Sequence, residues 1–299
     1  MESLRLDYTN IEELPDHFPK GLRVLCCSQT RINRVPSLPE GLEVLICCYV
    51  KQLTSIGTLP STLLQLDIWG SPIERCPVLP RGLKTLDCSR TKITVLPMLP
   101  PTLLELRISE TGIKYLPELS QGLTNLNISN TAISQIPDLP LFLANLCIAG
   151  TKISVLPKKL PPYLRTFSYD KTRIGDLPIL PDSLEMISLL FTKTTRLPNI
   201  PENLASMFCS MDFLESFDVL PKSLTYVGCA CLAEKGQKRL RYDSSCFDCF
   251  DCFAANEKLD YGDAFPLWRT MRVQKRITER ASRLKEELVR RCFEREYTG

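Results

Sequence analysis

The sequence predicts a right-handed solenoid, mostly β within the α/β-type repeat class. Parallel strands line its concave face, the convex side is extended or polyproline-like, and a long α-helix follows at the C-terminus. Three observations predict it. A unit recurs: Leu83, Leu86, Cys88, Thr91, Ile93, Leu96 and Pro97 return as Leu103, Leu106, Ile108, Thr111, Ile113, Leu116 and Pro117, then as Leu123, Leu126, Ile128, Thr131, Ile133, Ile136 and Pro137. The proline that closes the unit keeps a fixed spacing. It falls at Pro19, Pro39, Pro60, Pro80 and Pro100, is replaced by Ser120, and resumes at Pro140, Pro161, Pro181, Pro201 and Pro221. Within each unit the alternation L-x-I is the period-two signature of a strand with one buried face.

Each element follows from side-chain chemistry. Leu at the first and fourth positions, and Ile or Cys at the sixth, point inward and stack on the same positions of the neighbouring coils. Ile68, Cys88, Ile108, Ile128, Ile148, Tyr169, Leu189, Cys209 and Cys229 form one such ladder. A second ladder follows the strand: Thr30, Ser71, Thr91, Thr111, Thr131, Thr151, Thr172 and Thr192. A hydroxyl there can bond the backbone of its own turn and of the next coil. The two prolines of L-P-x-L-P fix φ and disfavour helix before each of them, so the return segment is extended. A period of twenty or twenty-one residues lies in the leucine-rich-repeat range. Residues 1–231 are expected to hold ten to twelve such repeats. The pattern decays at both ends, as expected of coils that cap an exposed core.

The remainder differs in composition. Residues 232–266 form a Cys/Phe-rich linker or cap. From Leu267 to Glu296 there is no proline or glycine, and Met271, Ile277, Ala281, Leu284, Leu288 and Cys292 fall near helical spacing. That span, 267–299, is read as a basic amphipathic helix with ten Lys or Arg against five Glu. Of the chain's net charge of +3, the helix thus carries about +5 and residues 1–266 about −2.

The repeats resemble those of bacterial effector proteins of the YopM and IpaH type, whose units read L-P-x-L-P-x-x-L-x-x-L-x-V-x-x-N-x-L. The resemblance runs from Leu4 to Cys229, about three quarters of the chain. This chain has Thr where those proteins have Asn, and it shows no counterpart of their initial helical hairpin. The resemblance implies a protein-binding solenoid. For IpaH proteins it also implies a ubiquitin-ligase domain after the repeats, with a catalytic Cys in a C-x-D motif. Cys246-Phe-Asp248 and Cys249-Phe-Asp251 match those three letters. The span after the last repeat, about seventy residues, is short for that helical domain, and the lone His17 lies at the opposite end. The ligase reading therefore stays a minor alternative, as the substrate-recognition part of such an effector.

The candidate site is the concave face, where the third, fifth and seventh positions point outward. Early coils present Val24, Cys26, Val44, Ile46, Cys48 and Trp69, flanked by Tyr49. The middle presents Asp67, Asp87, Arg107 and Asn127, and the end turns apolar again with Met186, Leu190, Phe208 and Tyr226. Exposed apolar clusters mark interaction surfaces, here for another protein or for the terminal segment folding back. The basic helix (Arg269, Arg272, Arg276, Arg280, Arg283) is read as a tether or self-association element. The alternative is binding of nucleic acid or an anionic surface. Cys246, Cys249 and Cys252 with Cys231 have spacing compatible with a structural zinc ion, or are buried thiols packed with Phe247, Phe250 and Phe253. No cofactor is otherwise expected.

No Gly-rich phosphate loop or metalloprotease helix motif appears, so a non-catalytic scaffold is expected. Fourteen cysteines without a leader-like start, and no apolar run long enough to span a bilayer, predict an intracellular, cytoplasmic setting, as a host-cell-acting effector or part of a larger assembly.

Overall fold

The three-residue alternation of the repeat builds three-residue strands. The structure, a computed structural model, describes residues 2–210, 213 and 222–229. It contains two compact units, Met1–Leu204 and Ala205–Gly299. The first unit carries β1 (Ser3–Arg5), β2 (Val24–Cys26), β3 (Val44–Ile46), β4 (Gln65–Asp67) and β5 (Thr85–Asp87). It continues with β6 (Glu105–Arg107), β7 (Asn125–Asn127), β8 (Asn145–Cys147), β9 (Thr166–Ser168) and β10 (Met186–Ser188). Each strand pairs in parallel with the next, so Leu25 faces Leu45, Leu66, Leu86 and Leu106 along one column. In the second unit β11 (Ser206–Cys209) and β12 (Tyr226–Cys229) pair in parallel with Met207 opposite Val227. The expected linker 232–266, the helix 267–299 with Arg269, Arg272, Arg276, Arg280 and Arg283, and the cysteines Cys231, Cys246, Cys249 and Cys252 lie outside the described residues.

In β3 to β9 the middle residue of each strand is buried and its two neighbours keep some exposure. Leu45, Leu66, Leu86 and Leu106 are fully buried, as are Leu63, Leu83 and Leu103 before them and Ile73, Ile93 and Ile113 after them. Burying each such side chain contributes about 1.5–3 kcal/mol. Among the described residues of the first unit, the segments between strands contain neither helix nor strand, as the paired prolines predict. Cross-coil bonds such as Lys92 N–H to Ile73 O (2.9 Å) tie successive returns together.

The hydroxyl ladder works more locally than expected. Thr91, Thr111, Thr131 and Thr151 each donate to the carbonyl three residues back in their own turn, at 2.7–2.8 Å. Two neighbouring coils break the pattern. Val50 stands where a threonine is due, and Ser71 of the next coil reaches across to compensate. Its hydroxyl donates to Cys47 O (2.7 Å) and accepts from Val50 N–H (2.9 Å).

One residue before each of these positions, the backbone turns left-handed. Tyr8, Gln29, Tyr49, Arg90, Glu110, Asn130, Lys171 and Phe191 have φ between 53° and 61°, and Gly70 and Gly150 complete the column. Non-glycine residues adopt this region at a cost of about 1–3 kcal/mol each. Glycine is required at 70 for a second reason: a Cβ there would sit 2.6 Å from the Tyr49 ring.

Candidate functional site

Strand register, rather than a cavity, assembles the candidate surface. The outward position after each central residue forms one row: Ile46, Asp67, Asp87, Arg107 and Asn127 are successive register partners. The position before the central residue forms the second row, from Val24 and Val44 through Gln65, Thr85, Glu105, Asn125 and Asn145 to Thr166 and Met186. Parallel strands lie about 4.8 Å apart, so Ile46 and Met186 are roughly 30 Å apart along this face. The predicted residues therefore share a surface without converging on a point. Phe208 and Tyr226 belong to the second unit, where their rings pack at 5.3 Å between centroids.

Each row has its own chemistry. Val24, Val44, Ile46 and Trp69 are half-buried, but Cys26, expected in the same exposed patch, is only 4% exposed. Cys48 is half-buried, and burial together with the neighbouring Asp67 pushes its thiol far above the ordinary range. Such thiols are poor nucleophiles. Among the described residues, no group of three or more His, Cys, Asp or Glu is placed to hold a metal ion.

In the middle, the carboxylates act first on their own backbone. Asp87 accepts from Ser89 N–H at 2.9 Å and Asp67 from Trp69 N–H at 3.2 Å, while Asn127 accepts from Ser129 N–H at 3.1 Å. An Asx side chain that bonds the backbone two residues on terminates the strand. Burial holds the Asp87 carboxyl above its ordinary value, and the facing Asp67 adds to the effect. Arg107, exposed, ion-pairs with Glu105 of its own strand and lies 3.9 Å from Asp87. Further on, Asn145 donates to Asn125 and accepts from the Thr166 hydroxyl at 2.7 Å, giving an uncharged amide ladder.

Beside the strand face, the left-handed column places a cluster that sequence reasoning found only in part. Tyr49 and Trp69 meet edge to face at 4.2 Å. The Arg90 guanidinium lies 5.6 Å from the Trp69 ring, 3.3 Å from the Tyr49 hydroxyl and 2.9 Å from Glu110. The hydrogen bonds to Glu110 and then Tyr49 raise its basicity further. Arg90 gives no sign of this role in the sequence, since its position is filled by Tyr, Gln, Gly, Glu, Asn and Lys elsewhere. A hollow of 560 Å³ adjoins Tyr49 and is lined by Asn10, Gln29, Arg31, Lys51 and Gln52.

The most exposed apolar side chains lie on the extended returns. Met98 is 90% exposed and Val78 85%, with Tyr115, Val95, Val155 and Ile179 close behind. Exposed apolar side chains are thus present away from the strands as well. Among the described residues, no helix is long and apolar enough to cross a membrane.

No family model matches the sequence, and no characterised protein matches it in sequence comparison. Solved structures do. YopM from Yersinia enterocolitica WA-314 superposes with a TM-score of 0.63 at 28% identity, covering 76% of this chain and 54% of that one. YopM from Yersinia pestis, described as a leucine-rich effector protein, gives 0.70 at 25% identity, covering 76% and 65%. The functional domain of InlJ from Listeria monocytogenes, which includes a cysteine ladder, gives 0.62 at 19% identity over 77% and 53%, a likeness of fold alone. The chain thus spans between about half and two thirds of the length of these structures. Its parallel register, buried ladders and twenty-residue period make it a leucine-rich-repeat protein resembling the YopM-type effectors.

Proposed function

We propose that the chain is a non-catalytic scaffold that binds a protein partner through the strand face of its first unit. The observation that carries this reading is the pair of continuous outward rows on that face, with Trp69 in the turn beside them. Together they pass from apolar (Val44, Ile46) through charged (Asp67, Asp87, Arg107) to amide (Asn127, Asn145) and back to apolar (Met186). A rigid row of this length suits an extended polypeptide rather than a small molecule, because small-molecule sites are concave and convergent. The effector-like neighbours support the same reading and favour action inside a cell. The basic segment with Arg269, Arg272, Arg276, Arg280 and Arg283 would serve as tether or self-association element.

The test is affinity capture with the full chain, with Trp69→Ala, and with Arg107→Glu, at low and high salt. Capture of one protein that survives salt and weakens in both variants is the expected result. If capture is instead unchanged in both variants and salt releases nucleic acid, recognition lies elsewhere, because phosphate contacts are strongly salt-dependent.

A further inference from the structure

Cys27 and Cys47 occupy the sixth, inward position of consecutive coils, one residue beyond the paired strands β2 and β3. Elsewhere on this ladder Cys88 stands between Ile68 and Ile108, so cysteine there packs as a small apolar side chain. The first pair is different. Its two Sγ atoms lie 2.9 Å apart, closer than the sum of two sulfur van der Waals radii, and both residues have no exposure. Adjacent parallel strands lie about 4.8 Å apart, within the Cα separation of about 4.4–6.8 Å that a disulfide spans. A small adjustment of the two side chains therefore joins them without moving the coils.

We infer that Cys27 and Cys47 are a disulfide-forming pair, joined when the chain folds in the presence of a low-molecular-weight disulfide such as oxidised glutathione. One thiolate attacks the glutathione disulfide and releases one glutathione. The second cysteine then attacks the mixed disulfide, forming the Cys27–Cys47 bond and releasing the other. Two protons leave the protein thiols, two electrons pass to glutathione, and the balance closes. Timing follows from burial. The hydrogen bond with Cys27 and the loss of water hold the Cys47 thiol well above its ordinary value. The packed pair is therefore slow to react in either direction, and the bond is set during folding or during fraying of the terminal coils. Once formed, it ties together the two coils beneath Val24, Val44 and Ile46.

The experiment refolds the full chain from denaturant with oxidised glutathione or with dithiothreitol, alkylates it under denaturing conditions and digests it with trypsin without reduction. Cleavage after Arg23, Arg31, Arg34 and Lys51 puts Cys26 with Cys27 and Cys47 with Cys48 in two separate peptides. The expected result is a linked pair of these peptides in the oxidised sample alone. It persists in Cys26→Ser and Cys48→Ser and disappears in Cys27→Ser and Cys47→Ser. Fragmentation of the wild-type linked pair assigns the bond directly, even where a variant fails to fold. Dithiothreitol should reduce the bond in the native protein at least about tenfold more slowly than in denaturant. Free, alkylated Cys27 and Cys47 after oxidative refolding, or a linkage that survives Cys27→Ser, overturns the inference and leaves a packed thiol ladder.

Discussion

The coils of β2 to β4 and those of β5 to β8 share one register and one hydrophobic core, yet they solve the same local problems with different groups. In the later coils each turn is closed by its own threonine, and the outward row passes from Asp87 and Arg107 to Asn127. In the earlier coils the threonine is missing at Val50, Ser71 substitutes for it from the next coil, and Cys27 and Cys47 fill two consecutive inward positions. Aromatic rings stand over the turn there, where Tyr49 packs on Trp69 across Gly70. The difference teaches that a repeat is conserved as a set of satisfied backbone groups rather than as a set of residues. A neighbouring coil can supply what one unit lacks.

Six substitutions test this contrast, ordered by expected effect. Leu106→Ala, in the regular stretch, should cost about 2–5 kcal/mol through loss of burial and a cavity, read as a lowered urea midpoint. Leu25→Ala near the end should cost less, since terminal coils can fray without unfolding the rest. Equal losses would contradict a core built from nearest-neighbour contacts.

Ser71→Ala should come next, at about 1–3 kcal/mol, because it orphans a donor and an acceptor on the neighbouring coil. Thr131→Ala removes one bond within its own turn and should cost about 1 kcal/mol. A thermal shift for Ser71→Ala no larger than that for Thr131→Ala would show that the cross-coil rescue contributes nothing extra.

Lys171→Gly should stabilise the protein by up to about 1 kcal/mol, since it relieves a left-handed residue at φ 54°. Part of that gain is offset by the greater chain entropy glycine gives the unfolded state. A loss of stability on denaturant titration would mean that the Lys171 side chain holds its turn.

The smallest effect is a pH dependence. Burial raises the folded-state Asp87 carboxyl above 3.8, so its share of stability is full below that value and is lost as pH rises through the raised one. Asn keeps the carbonyl that accepts from Ser89 N–H, as Asn127 does for Ser129. Asp87→Asn should therefore match wild type near about pH 3 and gain on it toward neutrality. A variant that instead falls behind wild type as pH rises would assign the charge a net stabilising role through Arg107.

Much of the fold is legible in the chain itself because it rests on short-range geometry. The Leu83, Leu86, Cys88 spacing places three side chains on one face of a short strand, and Pro97 with Pro100 denies helix to the return. Less of the candidate surface is legible. Val44, Ile46, Asp67, Asp87, Arg107, Asn127 and Met186 do lie on the outward rows, whereas Trp69 lies in the turn just after β4. Cys26, however, is buried among its neighbours, and Met98 and Val78 are exposed on the returns, where no periodicity marks a face. Arg90 carries no sequence signal, because its place in the left-handed column is held elsewhere by aromatic, amide, acidic, basic and glycine residues.

The period, the inward columns and the strand faces are all readable from residue order, because each follows from alternation and proline sterics within a single unit. That Ser71 serves Val50, that Asp87 and Asn127 close their own strands, and that Cys27 meets Cys47 emerges from the stacked fold. Those outcomes depend on which backbone and side-chain groups the adjacent coil leaves unmet, and that is settled only when the coils stack.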